Sequence, residues 1–167
     1  MIKRIISMVI CAFGIAHGKT VTVDVDGKGV SKVELPSSFN GRSEGKDTIL
    51  SMPDSEKEDG PSSLRISLIR DLGSRFGEND ASEFLKRFKQ DLVVKRSGGT
   101  LFVVNTEEST SETGVKFVAH QFAAVADGLL FSMTFQTIVG REGEKEAILI
   151  RDNLKKILAS LGRKSAK

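Results

Sequence analysis

The chain has no tryptophan and no tyrosine, and all ten of its aromatic residues are phenylalanine. Binding surfaces favour Trp and Tyr because each adds a polar handle to an apolar contact. Phenylalanine alone points to core packing, so the usual sign of a sugar-binding platform is missing. Cysteine occurs once, at Cys11, and histidine twice, at His17 and His120. There is no pair of cysteines to build a disulfide framework and no Cys/His spacing for zinc. Gly27-Lys28-Gly29 and Gly98-Gly99 do not open helices as a phosphate loop requires, so no nucleotide or other cofactor fingerprint is present.

Long apolar runs are also lacking. The longest, Ile5–Ala16, is short of the roughly 20 residues of a membrane span. It follows Lys3 and Arg4 and precedes Ala16-His17-Gly18, the charged, apolar and small-x-small regions of a secretory signal. Residues 1–18 are therefore expected to be a cleavable signal peptide, and residues 19–167 a single exported domain, periplasmic or secreted. Cys11 follows bulky Ile10, which argues against lipidation, so it leaves with the signal. Lys3 and Arg4 are two of 25 basic residues, against 22 acidic ones. Without them the net charge is about +1, and no electrostatic footprint for nucleic acid remains.

What is present is alternation, then helical periodicity. Val21, Val23 and Val25 alternate with polar residues, and Val33 and Leu35 follow the turn residues Asp26-Gly27-Lys28-Gly29, predicting an opening hairpin. Residues 40–63 read as a long charged loop region, strand-like only over Asp47–Met52. Leu64, Ile66 and Leu68 mark another strand. Asp80-Ala81-Ser82-Glu83 predicts a helix start with Asp80 as cap, followed by a stripe of Ala81, Phe84, Leu85, Phe88 and Leu92, and Gly98-Gly99 follows the helix.

Three more strands are expected over Thr100–Thr106, Val115–Val125 and Leu129–Ile138, with Asn105–Thr113 as a polar loop. Asp127-Gly128 is the signal of a two-residue type I′ turn. If Ala126 pairs with Leu129, His120 faces Phe135, Phe122 faces Met133 and Ala124 faces Phe131. These residues, with Val118, then share the main core face. Ser132 falls on the opposite face, which is mixed and half-covered. Glu142–Leu161 predicts an amphipathic closing helix, and Gly162–Lys167 a solvated basic end. The fold class is α+β: an antiparallel sheet of about six or seven strands with two main helices packed on it.

Candidate chemistry is sparse. After signal removal His120 is the one histidine, a general base in principle. Thr137 shares its face, but no carboxylate on that hairpin is placed to orient the ring, and a hydrolytic triad needs three converging groups. His120 therefore reads as a satisfied core histidine. Asp24-Val25-Asp26-Gly27 resembles the start of a calcium loop, but the twelfth position, Leu35, is not a glutamate. Asp54, Glu56, Glu58 and Asp59 form an acidic loop cluster, the candidate contact for a partner. No catalytic, cofactor-binding or metal-binding residue is assigned.

Three segments carry a family resemblance. Leu35-Pro36-Ser37-Ser38-Phe39 is similar to a Leu-Pro-x-x-aromatic step after an early strand. Ala126-Asp127-Gly128-Leu129-Leu130-Phe131-Ser132-Met133-Thr134-Phe135 is similar to a penultimate hairpin, and Ile157-Leu158-Ala159-Ser160-Leu161 to a closing helix. Together with the element order they resemble the PsbP-like superfamily: PsbP proteins, Mog-type Ran-binding proteins and bacterial DcrB-like proteins. The resemblance implies an antiparallel sheet with packed helices and a non-enzymatic binding or adaptor role, the partner being another envelope or secreted protein. It transfers no site residues. The alternatives are an immunity or inhibitor protein against a secreted toxin, acting through the acidic loop, and a hydrolase using His120.

Overall fold

The structure, a computed structural model, describes residues 19–23, 31–35, 40–44, 47–51, 62–88 and 91–163. The signal segment, the turn at 24–30 and the acidic loop with Asp54, Glu56, Glu58 and Asp59 lie outside the described residues.

Among the described residues, ten strands and two helices follow in the order β1 (Lys19–Val23), β2 (Ser31–Leu35), β3 (Asn40–Glu44), β4 (Asp47–Ser51), β5 (Ser62–Asp71), α1 (Glu78–Lys86), β6 (Lys95–Ser97), β7 (Thr100–Thr110), β8 (Lys116–Ala126), β9 (Leu129–Ile138), α2 (Lys145–Ser160) and β10 (Gly162–Arg163). Seven strands form one sheet in the order β3-β4-β5-β9-β8-β7-β6. A second sheet joins β1, β2 and β10. All neighbouring strands are antiparallel.

The β8–β9 hairpin has the expected register, with Ala126 opposite Leu129, Phe122 opposite Met133 and His120 opposite Phe135. Its turn explains this. Asp127 (φ 49°) and Gly128 (φ 70°) are both left-handed, as a type I′ turn demands. Because side chains alternate across a strand, one sheet face collects Leu64, Ile66, Phe122, Ala124, Phe131, Met133 and Phe135. Helix α2 covers that face with Ala147, Ile150, Ile157 and Leu158. The other face collects Leu101, Val103, Val125 and Leu130, which pack under Ala81 and Leu85 of α1.

The last turn of α2 leaves carbonyls without helical partners. The Thr100 hydroxyl donates to one of these, the Leu158 carbonyl (2.6 Å), and the Ser97 hydroxyl to the Lys155 carbonyl (2.8 Å) inside the helix, tying the helix end to the β6–β7 turn. The Glu34 amide donates to the Ser160 hydroxyl (2.9 Å), which joins the small sheet to the same helix end.

The structure corrects the sequence reading at five places. Residues 40–44, expected as loop, form β3: their polarity suits an edge strand, whose one neighbour supplies the ladder. Helix α1 begins at Glu78, not Asp80. Its N-cap is Gly77, and the Asp80 carboxylate, three residues in, accepts the Gly77 amide (2.9 Å). Gly98-Gly99 does not merely follow a helix but turns the β6–β7 hairpin, between the paired residues Ser97 and Thr100. Strand β7 runs on to Thr110 through residues expected as loop, because β8 pairs with it along that whole length. Finally, Gly162 and Arg163 are not a solvated end but β10, bonded to β2.

Candidate functional site

His120 sits on the α2 side of the sheet, opposite Phe135 on β9 and Thr106 on β7. Its ring stacks on Phe135, with centroids 5.6 Å apart and planes 20° from parallel. Its Nδ1 is 2.9 Å from the Thr106 hydroxyl. The expectation of a core histidine is corrected in one respect: the residue is half-buried, because its β7 neighbour is a short, exposed threonine rather than an apolar side chain. Ser132 points to the opposite face, as its register requires, between Ala123 and Ser67. Thr137 shares the face of His120 but is buried, and its hydroxyl oxygen accepts the Ser62 hydroxyl (3.0 Å). Among the described residues, the Thr106 hydroxyl bonds the ring and Phe135 stacks on it, and neither can charge-balance an imidazolium as a carboxylate does.

The surface features lie around α1. Its apolar stripe was legible, but the stripe outlasts the helix. Phe76, Phe84 and Phe88 meet edge to face, at centroid distances of 5.9 and 5.2 Å, and Phe88 remains 53% exposed. Val93, in the segment leading to β6, is 71% exposed. A cleft of about 570 Å³ separates Ser82 and Lys86 of α1 from Leu92, Val93 and Val94. An ion pair between Arg96 of β6 and Glu78 of α1 lies at one end of it. A second cleft of about 490 Å³ lies on the other flank of α1, between Phe76, Ala81 and the Asp127-Gly128 turn, with Arg163 at its rim. Both clefts escaped the sequence reading, because their walls come from segments far apart in the chain.

Arg163 organises the second cleft. Its guanidinium binds the Asp71 carboxylate through both terminal nitrogens, and its Nε donates to the Asp127 carbonyl (2.9 Å). Its backbone amide donates to the Asp127 carboxylate (3.1 Å). The Arg163 guanidinium, and after it the Gly73 amide (2.8 Å), hold the Asp71 carboxyl below its ordinary value of 3.8. In return the Asp71 carboxylate raises the Arg163 pKa.

Beyond the reach of α1, no other described element packs on the second sheet face, whose residues there are half-buried or exposed. Its successive rungs read Val103–Ala123–Ser132–Ser67, Asn105–Gln121–Thr134–Arg65 and Glu107–Ala119–Gln136–Ser63. Asn105 and Gln121 both donate side-chain hydrogen bonds to the Glu107 carboxylate, which stitches the rungs along the strands. Among the described residues, no group of His, Cys, Asp and Glu is arranged to hold a metal ion. No helix among them is long and apolar enough to cross a membrane.

No protein-family model and no curated protein matches the chain. Solved structures do. A protein from Bacteroides thetaiotaomicron VPI-5482 superposes with a TM-score of 0.62 at 18% identity, over 89% of this chain and 49% of its own. This chain therefore spans about half the length of that protein. LpqN of Mycobacterium tuberculosis, described as involved in cell envelope biogenesis, gives 0.51 at 12% identity over 88% of this chain and 91% of its own. Cyanobacterial PsbP from Synechocystis sp. PCC 6803 gives 0.39 at 13% identity over 92% and 96%. At these identities the similarity is one of fold. What stands on the first two superpositions is the expected α+β fold, an antiparallel sheet with two helices.

Proposed function

We propose that this chain is an exported, non-enzymatic binding or adaptor protein whose partner is another envelope or secreted protein. One observation carries the reading. The second sheet face is capped by α1 at one end, and among the described residues it continues as the polar rungs of Asn105, Gln121, Thr134 and Gln136, which are half-buried or exposed. Small-molecule sites are concave and bury most of their ligand; a mixed, polar sheet surface, on a domain that also exposes Phe88 and Val93, suits a macromolecular contact. The surroundings of His120 support the non-enzymatic half, since its polar partner is the Thr106 hydroxyl and it lines neither cleft. Export rests on the charged, apolar and small-residue pattern of residues 1–18. The described role of LpqN in the cell envelope is compatible with it, at the level of a shared fold.

Affinity purification of the tagged full chain from its own host tests this. The expected result is a stoichiometric envelope or secreted partner and no ester or amide turnover. Hydrolysis that disappears in a folded His120→Ala variant would overturn the reading in favour of the hydrolase. A secreted toxin as the sole partner would replace the adaptor with an immunity protein.

A further inference from the structure

Strand β7 is far longer than the strand that covers it. It pairs with β8 from Leu101 to Thr110, without a register shift. On its other side β6 covers only Thr100, Leu101 and Phe102. Among the described residues nothing pairs with that side beyond Phe102. Ser97 and Thr100 close the two-residue Gly98-Gly99 turn, so Thr100 and Phe102 bond toward β6. The alternation of an antiparallel ladder then turns the odd-numbered residues toward β8 and directs the backbone N–H and C=O of Val104, Thr106, Glu108 and Thr110 outward. The β8–β9 turn gives the same parity independently, since its closing pair, Ala126 and Leu129, leaves the odd residues of β8 facing β7.

Such an edge is normally blunted by a proline, a bulge, a lysine or a short length. Residues 103–110 contain no proline and no lysine, and their ladder is regular. They carry Glu107 and Glu108 instead, within the exposed run Thr106–Thr110. Like charges directly opposite destabilise a strand pair, and opposite charges stabilise it. Two copies paired antiparallel about either glutamate would place acid against acid. A strand bearing lysine or arginine at those positions would be favoured.

We infer that the open edge of β7 is a strand-addition site, which accepts an extended basic segment of a partner protein alongside Val104–Thr110. This rests on the binding-protein reading and names the chemistry of its partner. The same two glutamates that discourage self-pairing select the partner by charge.

The test uses the full chain and a synthetic peptide of alternating lysine and valine. Hydrogen exchange, read residue by residue, should show new protection at the amides of Val104, Thr106, Glu108 and Thr110, and little change at α1. A peptide N-methylated at alternate residues, on the edge that faces β7, should bind at least about tenfold more weakly. A glutamate-for-lysine peptide should fail to bind. Glu108→Gln should weaken binding, and Glu108→Pro should abolish it while sparing the β8 ladder, because the amide it removes points outward. Equal binding of the parent and N-methylated peptides, protection confined to the α1 clefts, or protection of β7 by a second copy in the absence of peptide would each overturn the inference. A host partner whose footprint falls on α1 would remove the edge assignment and leave the binding reading standing, whereas turnover dependent on His120 would remove the binding reading itself.

Discussion

Arg163 lies 92 residues after Asp71 in the chain, yet its guanidinium Nη1 donates to the Asp71 carboxylate at 3.0 Å. The pair closes the end of the molecule where β5, the β8–β9 turn and the last strand meet. Both side chains keep a substantial part of their surface in water, 32% for Arg163 and 45% for Asp71, so screening limits what the bridge contributes. Arg163→Met is expected to cost about 1 kcal/mol at pH 7, with Arg163→Lys in between because an ammonium cannot reproduce the planar fork.

The pH dependence of that bridge has a definite sign. The Asp71 carboxyl is depressed in the folded state, so the unfolded chain binds its proton first. Its contribution is fully present above the ordinary value of 3.8 and declines as pH falls through the lower folded value. Urea titrations at pH 7 and in strong acid should show the difference between wild type and Arg163→Met shrinking on acidification. A difference that grows in acid would contradict the assignment.

Gly128 and Gly140 separate strain from collision. Both have positive φ, +70° and +85°. A Cβ at Gly140 would meet nothing within 4 Å, whereas one at Gly128 would lie 2.1 Å from the Gly73 carbonyl oxygen. Gly140→Ala should therefore cost about 1 kcal/mol, from backbone strain alone. Gly128→Ala should cost at least about 3 kcal/mol, since Gly73 and the bond from the Leu72 amide to the Gly128 carbonyl (2.8 Å) must shift as well. Thermal unfolding of the two variants side by side is the measurement.

Phe122 and Phe135 are both in the core, 8% and 3% exposed. Each change to alanine should cost about 3–5 kcal/mol. His120→Ala, at a half-buried position with one hydroxyl partner, should cost about 1 kcal/mol. Denaturant midpoints order the three variants; a His120→Ala loss equal to that of Phe135→Ala would mean that the ring is a core element after all.

Processing is checked by intact mass of material recovered from the host. The expected N-terminus is Lys19 or a residue close to it. Retention of residues 1–18, or lipid attached at Cys11, would refute the signal reading.

Period and turn chemistry made the central hairpin legible from residues alone. Asp127-Gly128 admits one turn geometry well, and that geometry set which of Phe131, Ser132, Met133 and Thr134 faced the core. Helix α2 was equally plain, because Ala147, Ile150, Ile157 and Leu158 repeat at helical spacing over about three turns. Elements with little apolar periodicity were not legible. Strand β3 reads Asn-Gly-Arg-Ser-Glu, and the far half of β7 Asn-Thr-Glu-Glu-Ser-Thr; each is a strand because a neighbouring strand supplies its ladder, not because its side chains demand it. The capping pattern at α1 was recognised but displaced, since an acidic residue in the first turn can serve the helix from N3 as well as from the cap.

The sequence by itself determined the α+β class, the register of β8 against β9 and most of the main core, Val118 and His120 being half-buried on the same face instead. These follow from local turn geometry and from side-chain periods that every neighbour repeats. Tertiary structure alone decided three things: that Arg163 reaches Asp71, that the clefts flank α1, and that β7 outruns β6. Each depends on residues far apart in the chain, whose meeting is set by how whole elements pack. A residue's own neighbours carry no record of that packing, because burial and backbone pairing are settled only once the sheet has closed against both helices.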